Sequence, residues 1–186
     1  MNLSGVVLKK SPDGNFNISC NGGSDGMITL NITGGSGSYT YYWNKPGGVL
    51  DSTTVNRITG LIAGHYTAVV KDKNKCTISP LDTILTQPAA LSIVDTLSRA
   101  PDGLNTINCF GGTGKIGLTV SGGSVGNYTY NWSTLNGSGI IAGQKDQPDL
   151  TAGKYNILVV DGNMCRDSLD IILSHDNRQP VMYKTR

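Results

Sequence analysis

The sequence predicts an all-β protein made of two tandem β-sandwich domains, and three observations lead to this prediction. Gly, Asn, Ser and Thr make up 75 of the 186 residues, and Glu, a common helix former, does not occur. Apolar and polar side chains alternate over short segments, which is the period of a strand. The same landmarks also occur twice, 89 residues apart, which indicates a duplicated unit.

The duplication aligns the rarest residues of the chain, its cysteines and tryptophans. The aligned pairs are Cys20 with Cys109, Trp43 with Trp132, and Cys76 with Cys165. The offset slips by one residue near Gly34 and Gly122, where one turn differs in length. We therefore predict a first domain over residues 1–88 and a second domain over residues 89–186.

Each copy contains short strand-like segments separated by Gly, Asn and Asp. In the first copy, residues 28–33 and 39–43 alternate, and residues 66–71 are apolar on both faces, as in a central strand. Weaker strands are predicted at Leu3–Leu8, Phe16–Cys20, Val49–Ile58 and Thr77–Leu85. The second copy repeats the pattern over residues 116–121, 128–132 and 155–160. About seven strands in 90 residues favour an immunoglobulin-like sandwich in each copy.

Aromatic residues on the predicted strands share one face and indicate the core. We expect Trp43 and Tyr66 to form the aromatic core of the first domain, and Trp132 and Tyr155 that of the second. Tyr42 points to the opposite face of its strand, so we expect it to be exposed.

The cysteines predict one disulfide per domain. Each copy holds two cysteines 56 residues apart, in a Gly-, Ser- and Thr-rich chain, and no Cys/His spacing typical of zinc is present. We therefore predict the pairs Cys20–Cys76 and Cys109–Cys165. Disulfides persist in oxidising compartments, so this prediction also indicates an extracellular protein.

The order of these motifs resembles the SprB repeat. In the first copy the motifs are residues 20–26 (CNGGSDG), 33–35 (TGG) and 39–43 (YTYYW), followed by Cys76. The second copy follows with Cys109, the Gly pair at 122–123, residues 128–132 and Cys165. The chain departs from the resemblance before the last cysteine of each copy, where the family usually has Gly and this chain has Lys75 and Met164.

The resemblance implies a repeat from a very large surface adhesin of gliding Bacteroidota, exported by the type IX secretion system. We accordingly expect a non-catalytic fragment of a longer, extracellular cell-surface protein that acts as a stalk and display module. Neighbouring repeats of the parent chain would be its partners, and the isolated fragment would be a monomer. The alternative is a carbohydrate-binding module that recognises surface polysaccharide.

Four tripeptides that begin with Asp resemble the O-glycosylation acceptor described for that phylum. The hydroxyl residues that would carry the sugar are Ser52, Thr83, Thr96 and Ser168. Chance is the competing explanation, because Asp, Ser and Thr are abundant in this chain.

The sequence does not predict an enzyme. Acid–base chemistry needs a positioned His or a pair of carboxylates. Of the two His residues, His65 aligns with Lys154 in the other copy, and His175 lies in the polar C-terminal segment. Most of the 13 Asp residues lie in turn signals such as Asp13-Gly14, a position that Asp favours. We therefore expect no catalysis and no cofactor.

Charge and hydropathy exclude two further classes of partner. The net charge is +2, and no Lys/Arg cluster interleaves with aromatic residues, so we expect no nucleic-acid binding. Apolar stretches reach four residues, as at 157–160, far short of the ~20 that a membrane helix needs. We expect no membrane insertion.

Two matching Asp-x-Asn segments raise the question of calcium. Asp72 and Asn74, and in the second copy Asp161 and Asn163, offer oxygen ligands at equivalent positions. The 6–8 oxygens that calcium prefers are not visible around them. Hairpin turns are the favoured interpretation, and we predict no metal site.

Overall fold

The computed structural model describes residues 1–48, 50–78, 81–101, 103, 105–124 and 126–175. These residues form thirteen strands and no helix, so the predicted all-β class is confirmed. No helix in this part of the chain is long and apolar enough to cross a membrane. The chain separates into two compact units, Met1–Ala90 with Gly162–Met164, and Leu91–Asp161 with the chain from Cys165 onward.

The first unit is built from two antiparallel sheets, with strand orders β1-β2-β5 and β4-β3-β6-β7. Hydrogen-bonded neighbours in both sheets run antiparallel. The strands are β1 (Asn2–Leu8), β2 (Gly26–Thr33), β3 (Thr40–Asn44), β4 (Leu50–Thr53), β5 (Arg57–Leu61), β6 (Gly64–Lys71) and β7 (Leu81–Leu85).

The core of the first unit lies between its two sheets because alternate side chains of each strand point inward. Ile28 and Leu30 of β2 are buried against Tyr41 and Trp43 of β3 and Tyr66 of β6. Fully burying one such aliphatic side chain contributes roughly 1.5–3 kcal/mol. The alternation read from the sequence therefore becomes a two-layer sandwich.

The second unit is built in the same way from the sheets β11-β9-β8 and β10-β12-β13. Its core contains Ile116 and Leu118 of β9 with Tyr155, Ile157 and Val159 of β12. The strands are β8 (Ser92–Leu97), β9 (Gly114–Ser121), β10 (Thr129–Thr134), β11 (Gln147–Leu150), β12 (Gly153–Val160) and β13 (Arg166–Leu173).

The strand predicted over Phe16–Cys20 is wrong, because residues 17–20 form bends and none of the segment is a strand. The backbone N–H groups of Asn17 and Ile18 both donate to the carbonyl of Thr86, which replaces a ladder of strand pairing. Ile18 is nevertheless fully buried. The side chain of Ile18 lies in the core, but the backbone around it does not pair as a strand. This segment covers one end of the sandwich.

Two other predicted segments fall partly outside the described residues. The segment Val49–Ile58 contains β4 and the start of β5, and Val49 lies outside the described part. The segment Thr77–Leu85 contains β7, and its residues 79 and 80 also lie outside it.

The predicted disulfide pairing within each copy is wrong. Cys20 and Cys165 are the disulfide-bonded cysteines, whereas Cys76 and Cys109 are free and exposed. Neither Cys20–Cys76 nor Cys109–Cys165 can therefore be present, and the expectation of one disulfide within each domain fails.

The reason is that the two cysteines of a copy lie at opposite ends of its central strand. Cys20 lies in the segment bonded to Thr86, next to the start of β6, where Gly64 pairs with Leu85. Cys76 lies beyond the end of β6, where its carbonyl accepts from the N–H of Asp72. An eight-residue strand is roughly 25 Å long, whereas a disulfide needs Cα atoms within about 7 Å.

We expect Cys76 and Cys109 to react with a maleimide in the native protein without reductant, because both thiols are exposed. Peptide mapping should place two labels per chain, at these positions, and the C76S/C109S variant should take up none. Finding label on Cys20 or Cys165 without reductant would contradict this assignment.

Candidate functional site

The outer face of the sheet β10-β12-β13 carries a groove. Side chains of β12 alternate, so Lys154 and Asn156 point away from the core while Tyr155 points into it. The groove has a volume of about 470 Å³ and is lined by Lys154, Asn156, Asp170 and Ile172, among others. Asn156 Nδ2 donates to Asp170 Oδ1 at 2.7 Å, which fixes the two polar side chains across the strand pair.

The first unit carries the matching outer face on β6 and β7. By strand register, His65 corresponds to Lys154 and Asp82 corresponds to Asp170. His65 Nε2 lies 2.6 Å from Asp82 Oδ1, and these side chains are 56% and 73% exposed. A polar contact between side chains so exposed contributes little to stability, typically below about 1 kcal/mol. Both side chains lie on the solvent-exposed surface of the sheet.

An apolar residue is exposed at the same place in both copies. Ile84 of β7 and Ile172 of β13 occupy equivalent register positions and are 61% and 60% exposed. Alternation predicts both as outward-facing, but their equivalence is visible only once the register of the strands is known. Sequence reasoning missed this shared feature.

Tyr42 lies on the outer face of the first unit, where the sequence placed it. Its side chain is 37% exposed, and Lys71 Nζ lies 5.1 Å from the centre of its ring. The ammonium group covers one face of the ring through a cation–π contact. In the second copy the aligned residue is Asn131, so the two units do not share an aromatic platform.

The predicted core aromatics divide unequally between the two units. Trp43, Tyr66 and Tyr155 are almost fully buried. Trp132 is half-buried, although it packs against the core of the second unit. Its indole Nε1 donates to the carbonyl of Gln144 at 2.8 Å, whereas Trp43 Nε1 has no partner among the described residues.

Each copy ties two turns together through one buried aspartate. In the first unit, Asp72 accepts from the N–H of Ser36 at 3.1 Å and of Cys76 at 2.9 Å. In the second unit, Asp161 accepts from the N–H of Ser124 at 2.7 Å and of Cys165 at 2.9 Å. The carboxylate therefore joins the glycine-rich turn before β3 or β10 to the cysteine turn after β6 or β12.

These contacts give the aspartate of each Asp-x-Asn segment a structural role. The hydrogen bond from the Ser36 N–H, helped by that from Cys76, lowers the pKa of Asp72 because it favours the ionised carboxylate. Within the described residues, no three His, Cys, Asp or Glu side chains are grouped so that they could hold a metal ion. Both carboxylates act as turn cross-links.

Two glycines let the backbone approach these carboxylates. Gly35 and Gly123 have φ of 80° and 61°. A Cβ at Gly123 would lie 2.2 Å from Asp161 Oδ2, and one at Gly35 would lie 3.0 Å from Asp72 Oδ2. The Gly pairs of the sequence motif are required by this approach and by the left-handed backbone.

The residue before the last cysteine adopts left-handed backbone in both copies. Lys75 has φ of 65° and Met164 has φ of 67°. Side chains are disfavoured there by roughly 1–2 kcal/mol relative to right-handed geometry. This backbone conformation accounts for the Gly that the SprB repeat usually has before its last cysteine.

The four candidate glycosylation residues all lie on strands. Ser52 on β4, Thr96 on β8 and Ser168 on β13 are exposed, whereas Thr83 on β7 is half-buried. Three of these hydroxyl residues are therefore accessible in the folded protein.

The family model of the SprB repeat matches the chain twice, over residues 17–48 and 106–137. The two matches are offset by 89 residues, which is the offset of the internal duplication. The resemblance predicted from the motifs is therefore confirmed. No curated protein matches the chain.

Fifteen chains of solved structures match, and one is the C-terminal 282-residue fragment of intimin, in complex with the intimin-binding domain of the translocated intimin receptor. The similarity covers 93% of this chain and 64% of the intimin fragment, with a TM-score of 0.51 and 14% sequence identity. At this identity the likeness shows the fold alone, which confirms the immunoglobulin-like class.

Replacing the left-handed residues by glycine should stabilise the protein. We expect Lys75→Gly and Met164→Gly each to raise the free energy of unfolding by roughly 0.5–1 kcal/mol, since relief of strain exceeds the added entropy of the unfolded chain. Urea unfolding measures this. Lys73→Gly lies in the same turn without positive φ and should not stabilise; an equal gain there would contradict the explanation.

Asp72 should make stability depend on pH. Its folded pKa is lowered, so its contribution is complete above the ordinary Asp pKa of 3.8 and is lost as the pH falls through the lowered value. We expect Asp72→Asn to reduce the melting temperature at pH 7 and to weaken its fall below pH 4. Asp149→Asn, at an exposed position, is the control. An unchanged pH profile in Asp72→Asn would disprove the cross-link.

Proposed function

We propose that the chain is a pair of repeats from a secreted cell-surface adhesin of gliding bacteria, and that it serves as a non-catalytic stalk and display module. The observation that carries this proposal is the SprB repeat match at equivalent positions of both copies. Export by the type IX system, a source among the Bacteroidota and a place between further repeats are parts of the same proposal.

The described surfaces support a spacer better than a sugar-binding module. Recognition of a sugar commonly uses an exposed aromatic ring together with convergent polar groups. Tyr42 is covered on one face by Lys71, and its counterpart in the second copy is Asn131. The groove on the second unit is lined by Lys154, Asp170 and Ile172, and the aromatic ring that borders it, Tyr155, is buried in the core.

The intimin fragment adds an adhesive context to this proposal. That fragment was solved in complex with the intimin-binding domain of its receptor. Fold similarity brings no ligand and no contact residue to the present chain. It supports only the idea that such sandwiches can be assembled into surface adhesins.

Surface modification belongs to the same proposal. Ser52, Thr96 and Ser168 are exposed hydroxyl residues directly after Asp, so they are accessible acceptors for O-linked sugar. Sugars on them would keep the outer strands hydrated and would hinder proteases. The half-buried Thr83 is the poorest acceptor of the four.

In-frame deletion of residues 1–186 from the parent adhesin tests the spacer role. We expect cells to keep the adhesin on their surface and to keep attaching, because a spacer contributes length and no ligand contact. Antibody labelling of intact cells and counts of attached cells measure both.

The matched control replaces the same residues by an unrelated pair of immunoglobulin-like domains of equal length. Loss of attachment in the deletion and in the replacement alike would contradict the spacer role and favour the polysaccharide-binding alternative. Labelling only after permeabilisation would contradict the surface location.

A further inference from the structure

Among the described residues, the second unit has no counterpart of strand β4 of the first unit. Trp43 of β3 pairs with Ala68 of β6, and Trp132 of β10 pairs with Ile157 of β12 at the same register, so β10 is the counterpart of β3. In the first unit β4 pairs along the other side of β3, with Asn44 opposite Leu50 and Tyr41 opposite Thr53. In the second unit no described strand pairs with that side of β10.

In the described part of the chain, one side of β10 therefore has unpaired peptide groups, and the aromatic side chains of this strand are less buried than those of β3. On an edge strand, about half of the backbone N–H and C=O groups point away from the neighbouring strand. We call this side of Thr129–Thr134 the β10 edge. Tyr41 and Trp43, behind β4, are 4% and 0% exposed, whereas their counterparts Tyr130 and Trp132 are half-buried.

The loop after β10 does not replace the strand. The carbonyl of Gln144 accepts from Trp132 Nε1, which is a side-chain contact. The N–H of Leu135 donates to the carbonyl of Lys154 in β12, so this hydrogen bond lies on the side of β10 that is already paired. No backbone hydrogen bond joins the β10 edge to another segment in the described part of the chain.

The β10 edge is also the least protected edge of the described sheets. Exposed edges are usually blunted by charge, Pro or a bulge. Residues 129–134 (TYNWST) contain no charged residue and no Pro, and their pairing with β12 is regular. Strand β1 has a bulge between Leu3 and Gly5. The other edges hold a charge or Pro: Asp51 in β4, Arg57 in β5, Asp82 in β7, Asp95 in β8, Pro148 in β11 and Arg166 in β13.

We propose that the β10 edge is an acceptor site for an extended polypeptide strand of the β4 type, which is supplied by a partner protein of a different sequence and lies antiparallel to β10 over Trp132. The first unit shows the occupant in place, since β4 is a four-residue extended segment on the matching edge. Main-chain hydrogen bonds would supply the affinity, as in other cases of strand addition. Burial of Trp132 to the extent seen for Trp43 would add apolar area. This inference goes beyond the spacer role and does not depend on it.

Hydrogen exchange on the wild-type chain tests the site, with a synthetic peptide of residues 50–56 (LDSTTVN) as the probe. Bound peptide should slow exchange at alternate amides of Thr129–Thr134, by about 100-fold when the peptide is present at 100 times its Kd. The control peptide has Pro in place of Ser52 and Thr53, two adjacent paired residues of β4, so at least one N–H that faces the partner strand is lost and strand pairing is prevented. Equal protection by both peptides would overturn the proposal.

Acrylamide quenching gives a second readout on the same protein. Trp43 is fully buried, so the quenchable emission comes mainly from Trp132, and the native peptide should reduce quenching in a saturable way. No change in either readout at millimolar peptide would overturn the proposal. So would protection confined to β3 and β4, which would mean exchange of the resident strand. Protection of β10 that rises with protein concentration alone would show a second copy of the chain as the occupant instead.

Discussion

The structure of each unit depends on one central strand, β6 in the first unit and β12 in the second. Each is eight residues long and is paired on both sides, and each directs alternate side chains into the core. Tyr66, Ala68 and Val70 of β6, and Tyr155, Ile157 and Val159 of β12, are buried. Because a strand rises about 3.3 Å per residue, its length separates the two ends of the sandwich by roughly 25 Å.

That separation determines which end of the sandwich each of the repeated cysteine segments occupies. The segment with the first cysteine plugs one end, where Ile18 and Ile107 are buried. The segment with the second cysteine forms the turn at the other end, held by Asp72 or Asp161. The two cysteines of one copy therefore serve different ends of the fold, and a bond between them is geometrically excluded.

The two copies share the aspartate cross-link and differ, within the described residues, at the sheet edge beside the tryptophan. Both units keep the carboxylate, its two backbone donors and the left-handed residue before the cysteine, because these parts depend on each other. The edge beside the tryptophan is free to vary, since losing β4 removes peripheral pairing and leaves the central strand intact. Strand β4 therefore covers Trp43 in the first unit, whereas Trp132 in the second unit is half-buried beside an edge that no described strand pairs with.

The sequence alone determined the all-β class, the duplication and the inward faces of the strands, because a period of two and an 89-residue offset are properties of the chain. It also placed Trp43, Tyr66 and Tyr155 in the core and Tyr42 outside it. Sequence reasoning could not determine the state of the cysteines, the bends at Phe16–Cys20, the partners of Asp72 and Asp161, or the open β10 edge. Each of these depends on which segments meet at the ends and edges of the sheets, and strand pairing between distant residues decides that.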